Sequence, residues 1–94
     1  MALVKRFIVE RNIPGIGAMS LVELCGAARA SNQAIDKLGN SIQWQHSYVA
    51  GDKTFCVYLA ESEAAIQSHA EMSGFPVNSI TEIAQIIDPT TANN

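Results

Sequence analysis

Two β-prone stretches, residues 42–49 and 54–60, are separated only by Ala50-Gly51-Asp52-Lys53, and this spacing constrains the fold more than any other feature. Ile42, Trp44, His46 and Tyr48 alternate with Gln43, Gln45 and Ser47, whereas Thr54 to Ala60 is a run of β-branched, aromatic and small apolar residues. So short a loop joins antiparallel neighbours, since a parallel pair needs a crossover of a dozen residues or more. Two registers are open. A two-residue Gly51-Asp52 loop sets Cys56 opposite Ser47; a three-residue loop through Lys53 sets it opposite Tyr48, on the same side as His46.

The flanks of this hairpin repeat one pattern. Leu3 to Arg11 reads as a strand that Asn12-Ile13-Pro14-Gly15 interrupts. Ser20 with Glu23 forms a capping box, followed by Leu21, Leu24, Cys25, Ala28, Ile35 and Leu38 at helical spacing, and Gly39-Asn40 stops this first helix. Ser62 caps a second helix with Ala65, Ile66, His69, Ala70 and Ser73 along one side, ended by Gly74 and Pro76. Ser79 to Asp88 supplies a last strand. The order strand, helix, strand, strand, helix, strand predicts an α+β fold, a ferredoxin-like βαββαβ sandwich, as one domain over 1–88 with a tail at 89–94. Both helices then cover one sheet face. Apolar residues on both sides of the strands predict that a second copy packs on the open face, giving a homodimer.

Net charge is −3, and the six Lys and Arg are scattered singly, so no basic stripe exists to neutralise a run of phosphates. Nucleic acid is not an expected partner. Lys5 and Arg6 fall within the first apolar run, which spoils both a signal peptide and a membrane span, and the expectation is a cytoplasmic protein. In that compartment Cys25 and Cys56 stay reduced. Cys25, in the helical stripe with Leu21, Leu24 and Ala28, is expected to be a small buried hydrophobe.

Chemistry concentrates in the central third, where His46, Cys56 and His69 are three of the four Cys and His side chains. Both residue types bind late first-row metals, so a metal site is the leading reading, with Glu61 and Glu71 as candidate partners for the second imidazole nitrogen of His69. Mixed nitrogen and sulfur donors accept nickel, zinc or copper alike. Gly15-Ile16-Gly17 lacks the rest of a dinucleotide fingerprint and reads as a turn. A thiolate and imidazolium pair of Cys56 with His69 ranks lower, because no oxyanion donors precede Cys56. Two alternatives remain: an enzyme of the small monooxygenase or isomerase kind with a pocket of Trp44, Tyr48, Tyr58 and His46, and a structural module whose Cys56 and His69 are core residues.

An aromatic strand followed by Gly51-Asp52-Lys53-Thr54-Phe55-Cys56, Ala60 before an acidic helix start, and His69-Ala70-Glu71-Met72-Ser73-Gly74-Phe75-Pro76 leading to Ile80-Thr81-Glu82-Ile83 together resemble a family of small bacterial nickel-binding proteins, first catalogued as a domain of unknown function. The resemblance covers most of the chain and implies a dimeric ferredoxin-like fold. It also implies that Cys56 and His69 correspond to the family's cysteine and second-helix histidine. Many members carry a histidine late in helix one, where this chain has Ala30, Ser31 and Asn32.

Overall fold

The computed structural model describes residues 4–39 and 41–93. Leu3, Asn40 and Asn94, which the expected first strand, helix stop and tail include, lie outside the described residues. Strands β1 (Lys5–Asn12), β2 (Ile42–Ala50), β3 (Lys53–Ala60) and β4 (Ser79–Glu82) and helices α1 (Leu21–Leu38) and α2 (Glu63–Ser73) follow the expected order. They form one antiparallel sheet, β2-β3-β1-β4, an architecture consistent with a ferredoxin-like fold.

The hairpin takes the shorter loop. Ala50 pairs with Lys53 and Cys56 with Ser47, and Gly51 has a positive φ of 59° that a two-residue turn requires. Further along β2 a bulge at Gln45 puts both Gln45 and its neighbours out of simple alternation, so Trp44 pairs with Tyr58 but His46 with Val57. Trp44 and Ser47, three residues apart, therefore share the helix-covered face, and Trp44 Nε1–H donates to Ser47 Oγ at 2.9 Å. The single period expected for Ile42, Trp44, His46 and Tyr48 breaks here: the last two face outward.

On the covered face Phe7, Val9 and Arg11 of β1 alternate with outward residues and pair with Tyr58, Cys56 and Thr54 of β3. Phe7, Val9, Cys56 and Tyr58 make the core with Ile42, Ala60 and Ile66 of α2, joined by Ile35 and Leu38 of α1. Complete burial of Val9 and Ile66 contributes on the order of 1.5–3 kcal/mol each. The outer face carries Ile8, Phe55, Val57 and Leu59 in its middle and exposed His46 and Tyr48 on β2.

Both helices begin where the sequence signals. Ser20 and Glu23 exchange the two bonds of a capping box, and the Ser62 side chain accepts from the Ala65 N–H. The inward face of α1 differs from the expected stripe. Leu21 is 83% exposed and Cys25 is exposed, while Ser31 and Ala34 are buried. Cys25 precedes Ala34 by nine positions, roughly half a turn out of phase at 3.6 residues per turn, so it points away from the sheet.

The last strand is shorter than the expected 79–88. β4 pairs with β1, running antiparallel with Phe7 opposite Glu82, so Arg6 and Lys5 are the β1 residues left to pair past Glu82, and extension to Asp88 would need partners before Lys5. Ile83 N–H still donates to the Arg6 carbonyl at 2.8 Å, after which Ile86 and Ile87 are exposed. Pro89–Asn93 form an exposed 3-10 turn.

The connection from β1 to α1 is fastened to the hairpin turn. Ile13 N–H donates to the Asp52 carbonyl, Gly15 N–H to Asp52 Oδ1, and Gly17 N–H to the Gly51 carbonyl at 2.7 Å. A Cβ on Gly17 would stand 2.7 Å from the Gly51 oxygen and 2.8 Å from its nitrogen, so only glycine permits this approach.

Candidate functional site

Small residues on α1 leave space beneath it. Ala27, Ala28 and Ser31 face the sheet where a larger residue would fill the gap, and a cavity of about 240 Å³ results. Trp44, Ser47, Thr54, Cys56 and Tyr58 line it from the sheet and Phe75 from the segment after α2. At its polar end stands Arg11, 1% exposed. Its Nη1 donates to the Pro76 carbonyl at 2.9 Å and its Nη2 to the Tyr58 hydroxyl at 3.2 Å, with the Phe75 ring centroid 6.0 Å from Cζ. The ion pairs among the described residues, Lys5–Glu82 and Lys53–Glu10, do not include it.

His69 projects from α2 and is 0% exposed. Its Nε2 lies 3.0 Å from Ser31 Oγ, and its ring centroid is 5.2 Å from that of Tyr58. Its Nδ1 is buried without a hydrogen-bond partner. Burial first, and then the nearby Arg11 charge, hold His69 below the ordinary imidazole pKa. Burial, reinforced by Cys56, pushes Tyr58 up to about 12, against the opposing pull of Arg11. Cys56 itself is buried and donates weakly to Thr54 Oγ1 at 3.6 Å.

The candidate ligands are thus divided. Cys56 and His69 are buried on the covered side of the sheet, each beside Tyr58, whereas His46 sits on the opposite face in edge-to-face contact with Tyr48 at 5.2 Å. Within one chain His46 cannot complete a shell begun by Cys56. Glu61 and Glu71 are exposed, and Ser31 takes the place beside His69 for which they were candidates. The aromatic pocket is likewise revised: Trp44 and Tyr58 line the cavity, while Tyr48 and His46 face away from it.

Arg11, Ser31 and Thr54 are site residues that the motif reading passes over. Arg11 follows Phe7 and Val9 at strand spacing, so its inward direction is a signal the period itself carries. Ser31 lies in the segment where the family resemblance expects a histidine.

Whether these residues fit a metal is decided by the donors. Among the described residues no group of three or more His, Cys, Asp and Glu side chains is gathered to hold one. His69 Nδ1 is a free buried nitrogen and Cys56 a sulfur near the same tyrosine, so the chain offers two donors, next to a cation.

Fold and site together define a small antiparallel α+β sandwich with a polar-ended cavity between helix and sheet. Residues 7–83 match the family described as nickel responsive protein SCO4226-like, and the chain belongs to that family. Among solved structures it is similar to the crystal structure of SCO4226 from Streptomyces coelicolor A3(2), with a TM-score of 0.71 and 19% identity over 87% of this chain and 99% of that one. At that identity the likeness is one of fold. No curated protein matches the chain. No helix among the described residues is long and apolar enough to cross a membrane.

Proposed function

We propose that this chain is a cytoplasmic binder of a transition metal of the nickel type, with His69 supplying nitrogen and Cys56 sulfur. One observation carries the reading: His69 Nδ1 is buried and unpartnered on an imidazole kept neutral by its surroundings. An unmet buried polar atom costs about 1–3 kcal/mol, which coordination would recover, and neutral imidazole is the form that binds metal. The family's description as nickel responsive supports the choice of metal, although the donors also accept zinc or copper.

Two protein donors leave coordination positions for water or small molecules. Arg11 opposes the added positive charge, and loss of the Cys56 proton on coordination offsets it, so affinity rises with pH. Two copies pair through the outer sheet face, a reading supported by Ile8, Phe55, Val57 and Leu59 there and by Tyr48, 59% exposed. His46 lies on that same surface and is open to a metal only apart from Cys56 and His69.

The test is metal content per chain after incubation with nickel and desalting against a mild chelator. Near-stoichiometric nickel in the parent protein, lost in both Cys56→Ala and His69→Ala while each stays folded, is the expected result. Equal retention in all three proteins would sink the assignment.

A further inference from the structure

The cavity beneath α1 has a chemistry of its own. Its walls are apolar, formed by Ile13, Ile16, Leu24 and Trp44 among others, and Arg11 supplies the one formal charge among its lining residues. A guanidinium is a permanent cation with five N–H donors in a planar fork. Here it is 1% exposed, hydrogen-bonded to a carbonyl and a hydroxyl, and without a carboxylate partner among the described residues. No Asp or Glu lines the cavity. The Tyr58 hydroxyl, which accepts from Nη2, is a phenol and brings no charge to balance the cation.

Buried charges are ordinarily paired, and an isolated one is costly, so a counter-charge brought by a ligand would be favourable here. We infer that the cavity beneath α1 binds a small organic carboxylate, its anionic head on Arg11 and the Tyr58 hydroxyl and its apolar body between Trp44 and the Ile13, Ile16 and Leu24 side chains. The guanidinium fork matches carboxylate geometry, and the Tyr58 O–H, which accepts from Nη2, keeps its own proton to donate. At about 30 Å³ for each water-sized volume, the 240 Å³ space holds a molecule of on the order of ten non-hydrogen atoms. Apolar walls with a few convergent polar groups are the usual build of a small-molecule site. The assignment goes beyond the metal reading and requires no metal.

The experiment pairs phenylacetate with phenylacetamide, molecules of one size and shape that differ in charge, each titrated into the full chain in the presence of chelator. Trp44 is the single tryptophan and lines the cavity, so its fluorescence reports occupancy. The carboxylate should bind saturably and at least tenfold more tightly than the amide, and Arg11→Gln should reduce it to the amide's level. Ala28→Leu, which fills the cavity from the helix side without touching Arg11, should weaken both ligands tenfold or more and guards against a failure of the Arg11 variant to fold. Equal affinities for acid and amide in the parent chain overturn the proposal, as does no saturable response to phenylacetate.

Discussion

The imidazole of His69 and the hydroxyl of Ser31 meet 3.0 Å apart between the two helices, and this is the only hydrogen bond the ring makes among the described residues. It ties α2 to α1 at the level of the cavity.

Ser31→Ala leaves both imidazole nitrogens buried and unpaired, and the expected loss is about 1–3 kcal/mol in a denaturant titration. Ser31→His adds a nitrogen on the Nε2 side of the His69 ring, away from the Nδ1 proposed to hold the metal. It is expected to leave nickel affinity within about threefold, measured by competition with a chromophoric chelator; a tenfold rise would put the metal on the Nε2 side instead.

Acid should destabilise the fold through His69. Its folded pKa lies below the ordinary value of 6.5, so between those two values the unfolded chain binds a proton that the native chain refuses. Stability from this group is complete above about pH 6.5 and falls as pH drops toward the folded value. Urea midpoints for the parent and for His69→Gln, compared between pH 7.5 and pH 5, should diverge less in the variant. Parallel slopes would assign the acid sensitivity elsewhere.

Alkali acts through Tyr58 in the opposite sense. Its folded pKa of about 12 exceeds the ordinary 10, so the native state keeps a proton that the unfolded state releases. This contribution is whole below pH 10 and is lost as pH rises toward 12, amounting to roughly 2–3 kcal/mol at about 1.4 kcal/mol per unit. Tyr58→Phe removes that pH dependence but also takes a partner from Arg11. Its melting temperature should be lower at pH 8 and fall less steeply between pH 10 and 11.5.

Two glycines should respond oppositely to alanine. Gly17→Ala drives a methyl into the Gly51 backbone and is expected to cost on the order of 1–3 kcal/mol. Gly26, inside α1 with open space around its Cβ position, should gain roughly 0.5–1 kcal/mol as alanine. Chemical denaturation of both variants gives the comparison directly.

The order of elements is legible because each boundary carries a local signal, such as Ser20 with Glu23, Gly51-Asp52, Ser62 or Gly74. Less legible is the bulge at Gln45, since Trp44-Gln45-His46-Ser47 satisfies simple alternation and only pairing with β3 shows that one residue is extra. That single residue returns Trp44 to the cavity side, whereas His46 is set on the face opposite Cys56 by the two-residue hairpin loop. Cys25 is misleading because it lies half a turn from Ala34 on the outward side of α1, although Leu24 and Ala28 of the same apolar stripe line the cavity. Ser31 and His69 are 38 positions apart, and no local pattern announces a contact made by packing two helices.

The position of β1 has a consequence during synthesis. As a central strand it bonds to β3 on one side and β4 on the other, and neither neighbour has been made when Phe7, Ile8 and Val9 leave the ribosome. At 5–20 residues per second, the roughly fifty residues up to β3 keep this apolar segment waiting on the order of 2–10 seconds. The nascent chain should therefore be a client for chaperones that hold exposed apolar segments over that interval, and released from them once the hairpin emerges to claim it.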